Sequence, residues 1–295
     1  MTPSHLYPVI QIIYNPNSTG DGESMAHGLE HALRERLPKQ AVRVTPTDHA
    51  GHAEAMAYDT ARAHPGALLV SASGDGGYHE LINGVLRAGG QAITSLLPAG
   101  NANDHHRETT GHSLVDDIVA HATRTIDVLK LEARVDGKPF VRYAHSYIGI
   151  GLTPKVGREL NRTALNRLKE VWIVAKTLLF LRPTTIVEGG VRRSYDSLVC
   201  TNISTMSKLF EIASDAQPDD GRFDVSAFRR RDRHRLFGLM LRASLRGIPA
   251  DRQTDHLSFD TLRPTLIQLD GEVYTLDARS TATITSAHKA LECIV

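Results

Sequence analysis

Apolar and polar positions change period repeatedly along the first part of this chain. Residues 9–14, VIQIIY, form an apolar run of strand length, and a polar stretch follows. ESMAHGLEHALRERL (23–37) then spaces its apolar residues at helical intervals. The alternation repeats, with QAVRVTPT (40–47) as a strand before the alanine-rich AGHAEAMAYDTARAH (50–64). GALLVSAS (66–73) reads as a third strand and YHELINGVLRAG (78–89) as a helix. QAITSLLPAG (91–100) reads as a fourth strand ending in a loop. Strands alternating with helices predict a mostly parallel sheet covered on both faces, a three-layer α/β domain.

The pattern changes after TRTIDV (123–128), where strand-like segments follow one another and VDGK (135–138) marks a hairpin turn. A helical insertion is expected from about 153 to 182, ending before Pro183. SLVCTNIS, GRFDVSAF, HLSFD, TLIQLDGEVYTL and STATITSA are further strand candidates. The expectation is therefore an α/β domain over 1–127 and an antiparallel β-sandwich with helical insertions over 128–295.

Four polar clusters follow strand-like runs: YNPNSTGDG, SGDGG, PAGNAND and, in the β half, LDGEVY. Loops at the carboxyl ends of parallel strands line the ligand crevice of an open α/β sheet. Three of these loops are rich in Gly, Asn, Ser and Thr, which suits phosphates held by backbone N–H groups at a helix start. None is G-x-x-x-x-G-K-S/T or G-x-G-x-x-G. No lysine stands ready for the phosphates, so charge neutralisation falls to backbone amides and a metal ion.

Composition narrows the partners. The 295 residues carry a net charge of +1, which gives no global pull toward nucleic acid. The two cysteines, Cys200 and Cys293, form no C-x-x-C pair and sit in apolar segments, which fits a reducing, cytoplasmic setting. The first residues lack a basic, then apolar, signal pattern. VWIVAKTLLFL (171–181) is too short to span a bilayer.

The order of the four clusters resembles the diacylglycerol kinase catalytic domain family, which includes bacterial lipid kinases and the sphingosine and ceramide kinases. The family pattern runs N-P-x-S-G, then G-G-D-G-T with a downstream N-G, then P-x-G-T-x-N-D, and finally D-G-E. Here it reads NPNSTG, SGDGGYHELINGV, PAGNAND and LDGE, with TIDVLK and PDDGRFDV also matching. The family fold joins an α/β nucleotide domain to a β-sandwich, related to that of the NAD kinases.

The resemblance implies ATP as donor, Mg2+ as its metal and a lipid hydroxyl as acceptor. Asn15, Pro16, Ser18, Gly20 and Thr47 would approach the nucleotide. So would Ser73, Gly74, Asp75, Gly76 and Gly77, and Gly100, Asn101 and Asn103. Asp104 and Asp127 would belong to a carboxylate network around magnesium. Asp220 would hold a structural magnesium with the carbonyls of Gln217 and Arg222, and Glu272 would be the general base. Ser73, Gly77 and Asn101 depart from the family pattern, and Gly77 in place of threonine suggests a hydroxyl missing beside the phosphates.

On this reading the lipid is met at a membrane surface. Leu165, Leu168, Trp172, Ala175 and Leu179 fall on one helical face, and Arg229, Arg230 and Arg231 precede a second apolar helix. Homodimer assembly is left open. An NAD kinase-like enzyme and a nucleotide- or lipid-binding homologue without turnover stand as alternatives.

Overall fold

The first strands are buried on both faces, and alternate residues enter different cores. Ile10, Ile12 and Tyr14 of β1 (Ile10–Tyr14) share a core with Leu68, Val70 and Ala72 of β3 (Leu68–Ser73). That core also takes Ala26, Leu29 and Leu33 of α1 (Gly22–Arg36) and Leu114 and Ile118 of α4 (Leu114–Ala120). The opposite face meets α2 (His52–Ala63), where Thr60 Oγ1 donates to Gln11 Oε1. Alternate residues of one strand thus face different helices, which produces three layers.

The computed structural model describes residues 6–17, 21–98, 113–154, 183–203, 205–206, 210–211, 217–229 and 250–295. Most of both expected helical insertions, at 155–182 and 230–249, lies outside them, as do Ser18, Gly20, Gly100, Asn101, Asn103 and Asp104.

The chain forms two compact units, residues 1–128 with 288–295, and residues 129–287. In the first unit β2 (Val42–Pro46), β1, β3 and β4 (Ile93–Pro98) lie side by side and parallel. α3 (Asp75–Arg87) follows β3. The short helix α4 has no counterpart in the sequence reading, because its few residues carry too little periodicity to stand out.

The second unit is strand-rich, and its strand pairs are antiparallel among the described residues. β5 (Thr123–Val135) and β6 (Lys138–Ala144) form the expected hairpin, turning at Asp136 and Gly137, both with positive φ. β7 (Tyr147–Gly151), β8 (Thr184–Glu188) and β9 (Val191–Thr201) follow. Two short strands, β10 (Thr205–Met206) and β11 (Phe210–Glu211), pair only with each other. Then come β12 (Phe223–Arg229), β13 (Arg252–Thr254) and β14 (His256–Thr261). β15 (Thr265–Leu269) and β16 (Glu272–Leu276) form a further two-residue hairpin before β17 (Thr281–Ile294). Leu129, Leu131 and Ala144 of the first hairpin share one core with Ile148, Leu198, Val225, Phe259 and Ile267.

β17 serves both units. Thr281–Thr285 pair with β14, whereas Glu292 and Cys293 pair in parallel with Ile93 and Thr94 of β4. The expected second domain, 128–295, therefore lacks its last residues here. Pairing satisfies the free edge of β4, and Ile294 enters the core of the first unit.

Candidate active site

Parallel pairing brings the ends of β1 to β4 to one edge of the first sheet, and with them the loops that begin at Asn15 and Gly74. Tyr14 lies opposite Pro46 and Ala72, and Ser73 lies opposite Pro98, so β1 to β4 end together. The residues that follow each strand emerge at that carboxyl edge. Thr47 N donates to Tyr14 O at 2.8 Å, tying the loop after β2 to the one after β1. Asn15 folds that loop locally, its Oδ1 accepting from Asn17 N at 2.9 Å, and Asn15 and Pro16 are exposed.

The glycine cluster is mostly helix. Gly74 caps α3 with extended backbone, φ −92° and ψ −171°, and Asp75, Gly76 and Gly77 are already its first turn. The helix thus begins three residues before Tyr78, where the sequence pattern predicts its start. N–H groups of a first turn are not used by the helix itself and point outward, toward where an anion is stabilised by the helix dipole. Asp75 follows the cap rather than occupying it.

Gly77 reverses one expectation. A Cβ built there would stand 2.3 Å from Ser73 Oγ and 2.7 Å from Ser73 Cβ. The space beside Gly77 is already filled by the Ser73 hydroxyl, which bonds Ser71 Oγ at 2.7 Å and Gly74 O at 3.0 Å. A threonine at 77 would collide with serine at 73, so the two departures from the family pattern compensate each other in volume.

Asp127 on β5 is fully buried. Its Oδ1 accepts from Lys289 N at 2.7 Å and lies 2.9 Å from His288 Nδ1, both on β17. His288 was not singled out from sequence, since a histidine near the last strand carries no motif. Buried polar residues on α3 were also passed over: Asn83 Nδ2 donates to His79 O at 2.8 Å.

In the second unit Glu272 is exposed and opens β16, directly after the turn formed by Asp270 (φ 46°) and Gly271 (φ 101°). Positive φ at both central residues is the two-residue hairpin turn that follows strand twist, and Gly271 adopts it without strain. Asp270, by contrast with its neighbour, is buried. Its carboxylate accepts from the backbone N of His145 (2.8 Å), Ser146 (2.9 Å) and Tyr147 (3.0 Å).

Asp220 is exposed in the turn before β12. Its Oδ1 accepts from Arg222 N at 2.8 Å and its Oδ2 from Gln253 Nε2 at 2.9 Å. Gln217 and Arg222 are exposed as well. Among the described residues no three His, Cys, Asp or Glu side chains come together as a metal-binding group. Among them, too, no helix is long and apolar enough to cross a membrane.

A parallel sheet whose strands end together, with a glycine-rich turn opening directly into a helix, makes the first unit an α/β unit. Residues 9–131 match the family model of the diacylglycerol kinase catalytic domain. The chain is 26% identical over 235 residues to a diacylglycerol kinase of Bacillus subtilis (strain 168), covering 75% of this chain and 73% of the relative. Its fold is shared with the crystal structure of a diacylglycerol kinase from Bacillus anthracis str. Sterne, at a TM-score of 0.74 and 16% identity. That match covers 98% of this chain and 97% of the other.

Proposed function

We propose that this chain is an ATP- and magnesium-dependent lipid kinase acting on a hydroxyl of a diacylglycerol- or sphingoid-like lipid. The observation that carries the reading is the gathering of the Asn15, Thr47 and Ser73–Gly77 loops at one sheet edge within the matched segment. Those loops would receive the nucleotide phosphates through backbone N–H groups. Glu272 would take the proton of the acceptor hydroxyl as its oxygen bonds to the γ-phosphorus and the bond to the ADP oxygen breaks. An exposed carboxylate at a strand start is open to such an acceptor.

Magnesium suits the donors present in one respect. Asp220 keeps acceptor capacity beyond its two hydrogen bonds, and a magnesium ion retains several waters while binding one or two carboxylates. Asp220 with the Gln217 and Arg222 carbonyls would hold such an ion in the turn, and Asp104 would serve the nucleotide's metal, whereas Asp127 is buried and held by His288 and Lys289. Bound magnesium would supply charge neutralisation for the phosphate oxygens. We place the enzyme in the cytoplasm, meeting its acceptor at a membrane surface.

The test is transfer of label from γ-labelled ATP, with magnesium or with chelator, to diacylglycerol, sphingosine, NAD or water. A labelled lipid that disappears with chelator supports the proposal. Labelled NAD makes the chain an NAD kinase-like enzyme, and no labelled product makes it a binding protein. Glu272→Gln is expected to lower lipid phosphorylation by about two to four orders of magnitude at an unchanged melting temperature.

A further inference from the structure

The chain contains two hairpins with the same Asp-Gly turn, and they differ in one respect. At Asp136–Gly137 the aspartate is exposed and the strands pair normally from Val135↔Lys138 onward. That turn is tied to the rest of its unit by Gly137 N, which donates to Asp277 Oδ2 at 2.9 Å. At Asp270–Gly271 the aspartate is 3% exposed and its carboxylate is held by three successive backbone N–H groups from outside the hairpin. Asp270 N also donates to Tyr147 O at 3.2 Å. His145 and Ser146 complete the arrangement: Ser146 Oγ lies 2.7 Å from His145 Nδ1, and His145 Nε2 lies 3.5 Å from Asp270 Oδ2. Both side chains are buried. Withdrawing a carboxylate from water is unfavourable unless hydrogen bonds compensate, and here the compensation is built from a separate strand start.

We infer that Asp270, with His145 and Ser146, is a positioning group that fixes where the Glu272 carboxylate stands. Glu272 follows Asp270 by two residues and pairs with Leu269, so clamping Asp270 to the start of β7 removes the freedom of the turn that carries it. The equivalent residue of the other hairpin, Lys138, follows a turn held through the backbone of Gly137 rather than through a buried aspartate. The inference rests on the general-base reading of Glu272. A base displaced by about 1 Å from its proton loses up to about a hundredfold in rate, so the anchor would act on turnover rather than on nucleotide binding.

The experiment compares wild type, Asp270→Asn, Ser146→Ala, Glu272→Gln and the Asp270→Asn/Glu272→Gln pair, with Asp136→Asn as the turn control. Phosphate transfer from ATP to dioctanoylglycerol or sphingosine in mixed micelles is measured beside the melting temperature. Asp270→Asn is expected to lower kcat about tenfold to a hundredfold with the KM for ATP unchanged, and Ser146→Ala to lower it less. Asp136→Asn should leave kcat as it is. In the Glu272→Gln background Asp270→Asn should cost nothing further, since it acts through the missing carboxylate. An equal loss in both backgrounds, or full kcat in a folded Asp270→Asn chain, overturns the inference. Should Asp270→Asn not fold, Ser146→Ala carries the same comparison. Near wild-type turnover in Glu272→Gln alone overturns the base reading and the inference with it.

Discussion

Ser73 and Gly77 show how far one side chain's direction reaches. Read as letters, Gly77 marks a lost hydroxyl, and restoring threonine promises tighter nucleotide binding. In the folded chain the Cβ of residue 77 points at Ser73, whose hydroxyl already occupies that space. Gly77→Thr is therefore expected to lose about 1–3 kcal/mol through overpacking, read as a lower melting temperature. Adding Ser73→Gly should recover most of that loss, because the pair shares one volume. A melting temperature unchanged by Gly77→Thr alone would refute the steric account. The motif was legible in the sequence, and so was its place after a strand. Which residue yields to which was not, because that depends on a rotation of the helix that no local spacing encodes.

Helix packing raises the same question over a longer contact. Gly84 in α3 lets α2 approach so closely that a Cβ would stand 2.3 Å from the backbone oxygen of Glu54 and 2.8 Å from Ala57 Cβ. Replacing glycine by alanine inside a helix normally gains about 0.8–1 kcal/mol. Here the neighbour is backbone and cannot swing aside, so overpacking of about 1–3 kcal/mol outweighs that gain. Gly84→Ala should lower the melting temperature, whereas Gly28→Ala in α1, with nothing within 4 Å, should raise it slightly. Equal effects of the two variants would sink this argument. Alternating strands and helices predicted the elements of the first unit closely, since each carries its own period. The D-G turn of β5 and β6 was equally plain from four residues. By contrast, the anchoring of Asp270 by His145, Ser146 and Tyr147 joins residues more than a hundred positions apart, and only tertiary pairing brings them together.

Over the whole molecule, the two cysteines fall one in each unit. Burial pushes the thiols of Cys200 and Cys293 up to about 12, so neither supplies appreciable thiolate near neutral pH. Iodoacetamide at about pH 8 should label neither in the native chain, and rising denaturant should label each as its own unit opens, read by peptide mass. Rapid native labelling of either thiol would contradict its burial. Cys293 belongs to the strand segment that returns to β4 after the second unit is finished. That return has a consequence for how the protein is made. A ribosome delivers residues 9–128 first, yet β4 keeps an unfilled edge until residues 288–295 emerge. The second unit can close on itself earlier, while the first waits as a near-complete sheet, open to chaperones and to stray strands, until residues 288–295 arrive.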